Sequence, residues 1–194
     1  MRIGLGRWRN ATLPPAGPEV RPISSRLRQS LFTVIAPWVE GAAVLDLCAG
    51  VGGMGLEALS RGARRVVLIE RDRRQAAAIA RWLRDRGVRE GEARVVEADA
   101  RGGAWPAGPY DLVFLDPPFD LSADPVALVP FLERAIEDLA ADGVLAVKLP
   151  ATATVPADRR WVERTRRAAG DAAYALLSHP DPADPASSGR LSPG

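Results

Sequence analysis

The most restrictive feature of this chain is a glycine-rich turn set between two apolar segments. Ala43-Val44-Leu45-Asp46-Leu47 reads as a buried strand, Gly50-Val51-Gly52-Gly53-Met54-Gly55 matches G-x-G-x-x-G, and Leu56 to Arg61 continues with helical spacing. A turn of this kind lets the backbone approach a ligand at a helix N-terminus, and it belongs to folds in which parallel strands alternate with helices. Glu70, twenty residues beyond Gly50, ends a second apolar run that starts at Val66. An acid at that position accepts hydrogen bonds from ribose hydroxyls. Taken alone, this spacing specifies an adenosine-containing cofactor, with a nicotinamide dinucleotide still among the choices.

The rest of the chain keeps the same rhythm. Ser24 or Ser25 caps a predicted helix with apolar residues at Leu27, Leu31, Val34, Ile35 and Trp38, ended by Pro37. Ala76, Ile79, Ala80 and Leu83 give one apolar face to a helix closed by Gly87. Arg94–Asp99, Asp111–Asp116 and Gly143–Lys148 supply a third, fourth and fifth strand. Between the last two, Asp124-Pro125 starts a helix whose predicted stripe is Val129, Leu132, Ile136 and Leu139, with Pro130 as a candidate kink. Trp161–Arg167 and Ala172–Leu177 are candidate closing strands. The expected fold is α/β, a doubly wound, Rossmann-like parallel sheet with its ligand crevice beyond the strand carboxyl ends. At 194 residues it is one domain over 23–178, preceded by a basic hairpin and arm over 1–22 and followed by a disordered tail over 179–194.

Three acids fall at matched positions: Asp46 near the end of the first strand, Glu70 at the end of the second and Asp99 at the end of the third. A carboxylate at Asp46 repels a pyrophosphate and attracts the ammonium of an amino-acid moiety. S-adenosylmethionine carries that ammonium and a nicotinamide dinucleotide does not, so the methyl donor is the expected cofactor. Asp99 is placed to accept from an adenine amino group. Beyond the fourth strand stands Asp116-Pro117-Pro118-Phe119. An exocyclic amine is a poor nucleophile because its lone pair is delocalised into the ring. Donation of its two N–H groups to the Asp116 carboxylate and the Pro117 carbonyl frees that lone pair for a sulfonium methyl group, with Phe119 stacking on the base.

Composition excludes the competing chemistries. One Cys, Cys48, and one His, His179, cannot build a zinc cluster or an internal disulfide. Cys48 lies under the expected cofactor rather than opposite its methyl group, which rules out thiolate attack on a pyrimidine, and His179 is expected to be solvent-exposed. No apolar run reaches the ~18 residues of a membrane span, and a cytoplasmic protein is expected. The net charge of +2 hides a division: residues 1–30 carry six Arg against Glu19, a charge of +5, leaving −3 on the remainder. Arg7, Arg9, Arg21, Arg26 and Arg28 are candidate RNA contacts, with Trp8 as a stacking residue.

The chain resembles the bacterial small-subunit ribosomal RNA guanine-N2 methyltransferases over about residues 1–178. The resemblance is carried by Gly6-Arg7-Trp8-Arg9, the segment from Arg21 to Phe32, Leu45 to Gly52, Gly55 to Ala63, Asp116-Pro117-Pro118-Phe119, and Gly170 with Ala173-Tyr174. It implies S-adenosylmethionine as cofactor, with Asp46, Gly50 and Gly52 lining its methionine side and Gly55 completing the loop. It further implies Glu70 at the ribose, Asp99 at the adenine, Asp116, Pro117 and Phe119 at the target amine, ribosomal RNA or the small subunit as partner, and no metal. The family's usual Thr, Asp and Glu are replaced here by Ile23, Ser25 and Gln29. Alternative acceptors are adenine N6 or a protein glutamine, and an alternative class is a non-catalytic RNA-binding or ribosome-assembly module.

Overall fold

The computed structural model describes residues 1–17, 23–102 and 105–181, and for Phe119 and Asp120 the backbone only. Seven strands make one sheet: β1 (Ala43–Leu47), β2 (Arg65–Glu70), β3 (Ala93–Glu97), β4 (Tyr110–Leu115), β5 (Leu139–Pro150), β6 (Val162–Ala169) and β7 (Ala172–Ser178). Their order is β3-β2-β1-β4-β5-β7-β6. The first five are parallel, and β7 runs antiparallel to both β5 and β6. The two closing strands therefore exist where apolar alternation placed them, and they extend the parallel sheet with a hairpin of opposite direction. The fold is the expected Rossmann-like one.

Helices α1 (Ser25–Val34), α2 (Gly55–Ser60) and α3 (Arg73–Arg84) cover one face, and α4 (Phe119–Ser122) and α5 (Pro125–Glu137) belong to the other. The central strands are buried on both faces, which is why they read as unbroken apolar runs rather than alternating ones. Ser24 caps α1 by accepting from the Leu27 amide, and Asp72 and Asp124 do the same for α3 and α5. Pro37 does end α1, inside a short 3-10 turn over Ala36–Trp38. Helix α5 runs through Pro130, which is exposed. The carbonyl left without a donor is that of Val126, also on the solvent side, where water satisfies it. Its buried stripe is Leu128, Phe131, Leu132, Ala135 and Ile136, which includes the predicted Leu132 and Ile136; Val129 is only half-buried, and Leu139 opens β5 instead. Strand β3 stops at Glu97, so Asp99 lies beyond it, at the start of a 3-10 turn.

Residues 1–17 are part of the core rather than a free arm. The expected hairpin is reduced to a single bridge, Arg2 with Thr12, flanked by backbone bonds from Ile3 to Ala11 and from Leu13 to Met1. Ile3 and Leu13 are buried in the cluster beneath α1, α2 and α3. Several of the bonds that hold the segment converge on one acid. Glu57, at 1% side-chain exposure, accepts from the Gly4 and Leu5 amides at 2.7 and 3.1 Å and from Arg61 Nε at 2.7 Å, and it lies 3.3 Å from the guanidinium of Arg28. Arg28 also donates to the Arg2 carbonyl. Ser60 adds a clasp, donating to the Leu5 carbonyl and accepting from the Trp8 amide. No room exists for a side chain at Gly6, where a Cβ would stand 1.8 Å from the Ser60 carbonyl oxygen.

The strand directions locate the tip of this segment. Arg7 pairs with Glu92, which immediately precedes β3, and its amide donates to Ser60 at the end of α2. Both are at the end of the sheet where the parallel strands begin. Met1, by contrast, approaches Gly53 at the opposite end. Replacing Glu57 with Ala leaves the buried Arg28 uncompensated, and a loss of about 3–5 kcal/mol is expected in urea unfolding. Faster hydrogen exchange at the Gly4 and Leu5 amides is expected to accompany it; a loss below ~1 kcal/mol would make the cluster no stronger than a surface ion pair.

Candidate active site

A cavity of about 820 Å³ opens at the carboxyl ends of the parallel strands. Asp46, Gly50, Glu70, Asp99, Asp116 and Pro117 line it, so the crevice predicted from topology collects the acids that follow the first four strands, whereas the predicted Gly52 and Gly55 lie behind its wall. The N-terminus of α1 contributes Ile23, Ser24 and Leu27, and β5 contributes Lys148, Leu149 and Pro150.

The glycine loop is built by two of the acids. Asp46 Oδ2 accepts from the Gly55 amide at 2.8 Å, and Glu70 Oε2 accepts from the Gly50 amide at 2.7 Å. Glu70 also takes the Asp72 amide at 2.8 Å, joining the loop to the start of α3. Gly52 has φ +74°, where a side chain is strained, and a Cβ on Gly55 would stand 3.0 Å from both Asp46 Oδ2 and Val66 Cγ1. Cys48 adopts φ +61° without being glycine, a conformation imposed by the turn between β1 and the loop.

Electrostatics separate the acids. Burial pushes Asp46 up to about 8, with the neighbouring Asp116 and Glu70 charges adding to the effect, although the Gly55 amide opposes it. Asp99 is at the other extreme. Arg101 bonds it through both guanidinium and backbone, and it is held down at about 2. That pairing places a guanidinium on the carboxylate expected to meet an adenine. The Cys48 thiol is pushed up to about 12 by burial and by four surrounding carboxylates, which keeps it protonated and agrees with excluding thiolate chemistry.

Asp116 follows β4 directly and is raised by burial, with Lys148 opposing the shift. Its side chain is one-fifth exposed, toward the cavity, and its Oδ1 accepts from Lys148 Nζ at 2.7 Å. The wholly buried Tyr174 hydroxyl faces the same carboxylate without closing a full-strength hydrogen bond to it. Burial and the Asp116 charge keep it un-ionised. Pro117 is buried beside Asp116, while the side chain of Phe119 lies outside the described residues. Lys148 and Tyr174 were not among the predicted catalytic residues. One sign of Lys148 was available: it is the only lysine in a chain with 26 Lys and Arg residues.

The arginines predicted to meet RNA divide into distinct groups. Arg28 is buried rather than free to meet RNA, its guanidinium lying 3.3 Å from Glu57 and donating to the Arg2 carbonyl. Arg7 and Arg9 are exposed at the far end of the sheet from the cavity. Trp8 is half-buried, in a T-shaped contact with Trp82 at 5.4 Å and with the Arg7 guanidinium 4.7 Å from its ring centre. Arg26 is exposed between Ser24 and Leu27, which line the cavity, and Arg21 lies outside the described residues. His179 is half-buried rather than free, its Nε2 3.3 Å from the Leu139 carbonyl oxygen. Most of the predicted tail, from residue 182, lies outside the described residues. No helix among the described residues is long and apolar enough to cross a membrane.

Comparison with known proteins agrees with this architecture. The family model described as conserved hypothetical protein 95 matches residues 1–178. Ribosomal RNA small subunit methyltransferase D of Escherichia coli K12 is 37% identical over 190 residues, covering 91% of this chain and 88% of that protein. Among solved structures, yhhF from Escherichia coli superposes with a TM-score of 0.74 at 35% identity, covering 92% of this chain and 97% of that one. HI0767 from Haemophilus influenzae gives 0.75 at 25% identity, covering 93% and 98%. The match runs through the N-terminal segment, the glycine loop, Asp116-Pro117 and the closing strands alike, and the chain belongs to the conserved hypothetical protein 95 family, alongside the Escherichia coli ribosomal RNA small subunit methyltransferase D.

Proposed function

We propose that this chain transfers a methyl group from S-adenosylmethionine to the exocyclic N2 amine of a guanine in small-subunit ribosomal RNA. The observation that carries the proposal is that Asp46 and Asp116, at the ends of the adjacent strands β1 and β4, face one cavity, the first beside the glycine loop and the second beside Pro117. The cofactor fits the donor set. Asp46 is a buried carboxyl with a backbone amide and, among the described residues, no cationic side chain bonded to it, which suits an incoming ammonium; Gly50 and Gly53 put glycine backbone on the cavity wall, while Gly52 and Gly55 face inward against Leu56, Leu68 and Val66 and let the turn close. When bound, the cofactor supplies an electrophilic sulfonium methyl group.

The chain's own groups orient the acceptor. Asp116 accepts one N–H of the amine and the Pro117 carbonyl accepts the other, so the nitrogen lone pair is directed out of the ring plane toward the cofactor side of the cavity. Positive charge then develops on nitrogen, and the adjacent carboxylate stabilises it in a site with little water. The released proton leaves to Asp116 or to water in the cavity mouth. A base inside a duplex must be flipped out, or already unpaired, to reach this depth. Arg7, Arg9 and Arg26 supply exposed positive charge, and a protein acceptor would not call for it.

The first test supplies methyl-labelled S-adenosylmethionine to undermodified small subunits and identifies the labelled nucleoside after digestion. N2-methylguanosine is expected. Recovery of N6-methyladenosine, or label in protein, would move the assignment to those acceptors. Asp116→Ala is expected to abolish transfer while leaving cofactor affinity within roughly tenfold.

A second test uses the protonation of Asp46. With its carboxyl near 8, the group is mostly protonated at pH 7, and an ammonium beside it favours the charged form. Cofactor binding at pH 7 is therefore expected to release up to about one proton, read from calorimetry in buffers of different ionisation enthalpy. Asp46→Asn is expected to remove that release and weaken binding by about tenfold or more; an unchanged release would assign the proton to another group. For the RNA side, replacing Arg7 and Arg9 together with Gln is expected to reduce the salt dependence of RNA binding by about one unit of slope per lost phosphate contact. An unchanged slope would leave the tip of the N-terminal segment as a solvated surface.

A further inference from the structure

Lys148 is the one lysine in a chain that otherwise uses arginine for every fixed cation. Its position is set by the sheet. Leu115 pairs with Val147 and Lys148 pairs with Tyr174, so Asp116, Lys148 and Tyr174 form a row across the ends of three adjacent strands, β4, β5 and β7. Lys148 Nζ donates to Asp116 Oδ1 at 2.7 Å, and both side chains are about one-fifth exposed, at the cavity wall.

The type of cation matters here. An ammonium is a compact point charge that engages a carboxylate through one oxygen, whereas a guanidinium is a rigid fork that takes both oxygens in parallel. Lysine at this position neutralises Asp116 and leaves the other oxygen available. Arginine would cover both. We propose that Lys148 is a positioning residue of the transfer, whose single attachment on Oδ1 keeps the Asp116 carboxylate charged and turned so that its second oxygen receives the target amine. This rests on the role given above to Asp116.

The surroundings make such a cation necessary. Asp46 on β1, Cys48 just after it and Tyr174 on β7 all face this corner, and every one of them is acidic or neutral. Burial alone drives the Asp116 carboxyl toward its protonated form, and Lys148 is the cation in contact that opposes it. A protonated Asp116 has lost acceptor capacity at the atom where the amine must donate.

The test measures methyl transfer to undermodified small subunits across pH 5.5–9.5 for the wild type, Lys148→Met and Lys148→Arg, with cofactor affinity followed in parallel. In Lys148→Met the acid limb of kcat is expected to move up by about one pH unit or more, with transfer down by about tenfold or more at pH 7 and recovering toward pH 9. Cofactor affinity is expected to stay within about threefold. Lys148→Arg is expected to keep the wild-type acid limb and yet lose about tenfold in kcat at every pH, because the fork occupies both oxygens. Should the Met variant fail to fold, Lys148→Gln, which keeps a polar tip without charge, carries the same expectation. A Met or Gln profile that superimposes on the wild type would overturn the proposal, as would an Arg variant with full activity. A wild-type protein that transfers no methyl group to RNA would overturn the proposed function instead, and the two failures are told apart by the wild-type measurement alone.

Discussion

A single buried carboxylate, Glu57, ties the N-terminal segment to the rest of the domain. Two backbone amides, Arg28 and Arg61 converge on it from three parts of the chain. Taking two guanidinium groups and a carboxylate out of water is costly, and the cluster is tolerable only because the acid's oxygens are met from several sides. Its position gives it reach: Glu57 is in the helix that follows the glycine loop, and Arg28 is in the helix whose first residues roof the cavity. The glycine-loop side of the cavity and the side formed by the start of α1 are therefore braced against each other through one ion cluster beneath them.

That cluster also explains why two stretches of sequence that looked like separate signatures occur together. The Arg21–Phe32 segment contributes Arg28, and the Gly55–Ala63 segment contributes Glu57, Ser60 and Arg61. Read singly, Arg28 belonged with the exposed cations, because nothing local distinguishes an arginine bound for solvent from one bound for a buried acid. The partner is 29 residues away in sequence and on another helix.

What was legible in the chain followed from short-range rules. The five parallel strands, the caps at Ser24 and Asp124, the glycine loop and the acids Asp46 and Glu70 all depend on residues within one βα unit, and they are found where spacing placed them. What escaped depended on register between distant strands. Lys148 meets Asp116 only because β5 lies beside β4, and Tyr174 joins them only because β7 inserts between β5 and β6. Asp99 was placed correctly at the cavity, but its Arg101 partner, two residues on, was overlooked. Pro130 did not break α5, because it and the residue whose carbonyl it leaves without a donor, Val126, are both on the exposed face.

The N-terminal segment spans the height of the sheet, with Met1 near the cavity and the Arg7–Arg9 tip where the strands begin. A six-residue strand such as β2 is about 20 Å long at the usual rise per residue. Under the function proposed above, a base seated at Asp116 and a phosphate held by Arg7 would thus lie about a strand length apart. An RNA that reached both places would have to cross the height of the sheet, which a single docked base does not do.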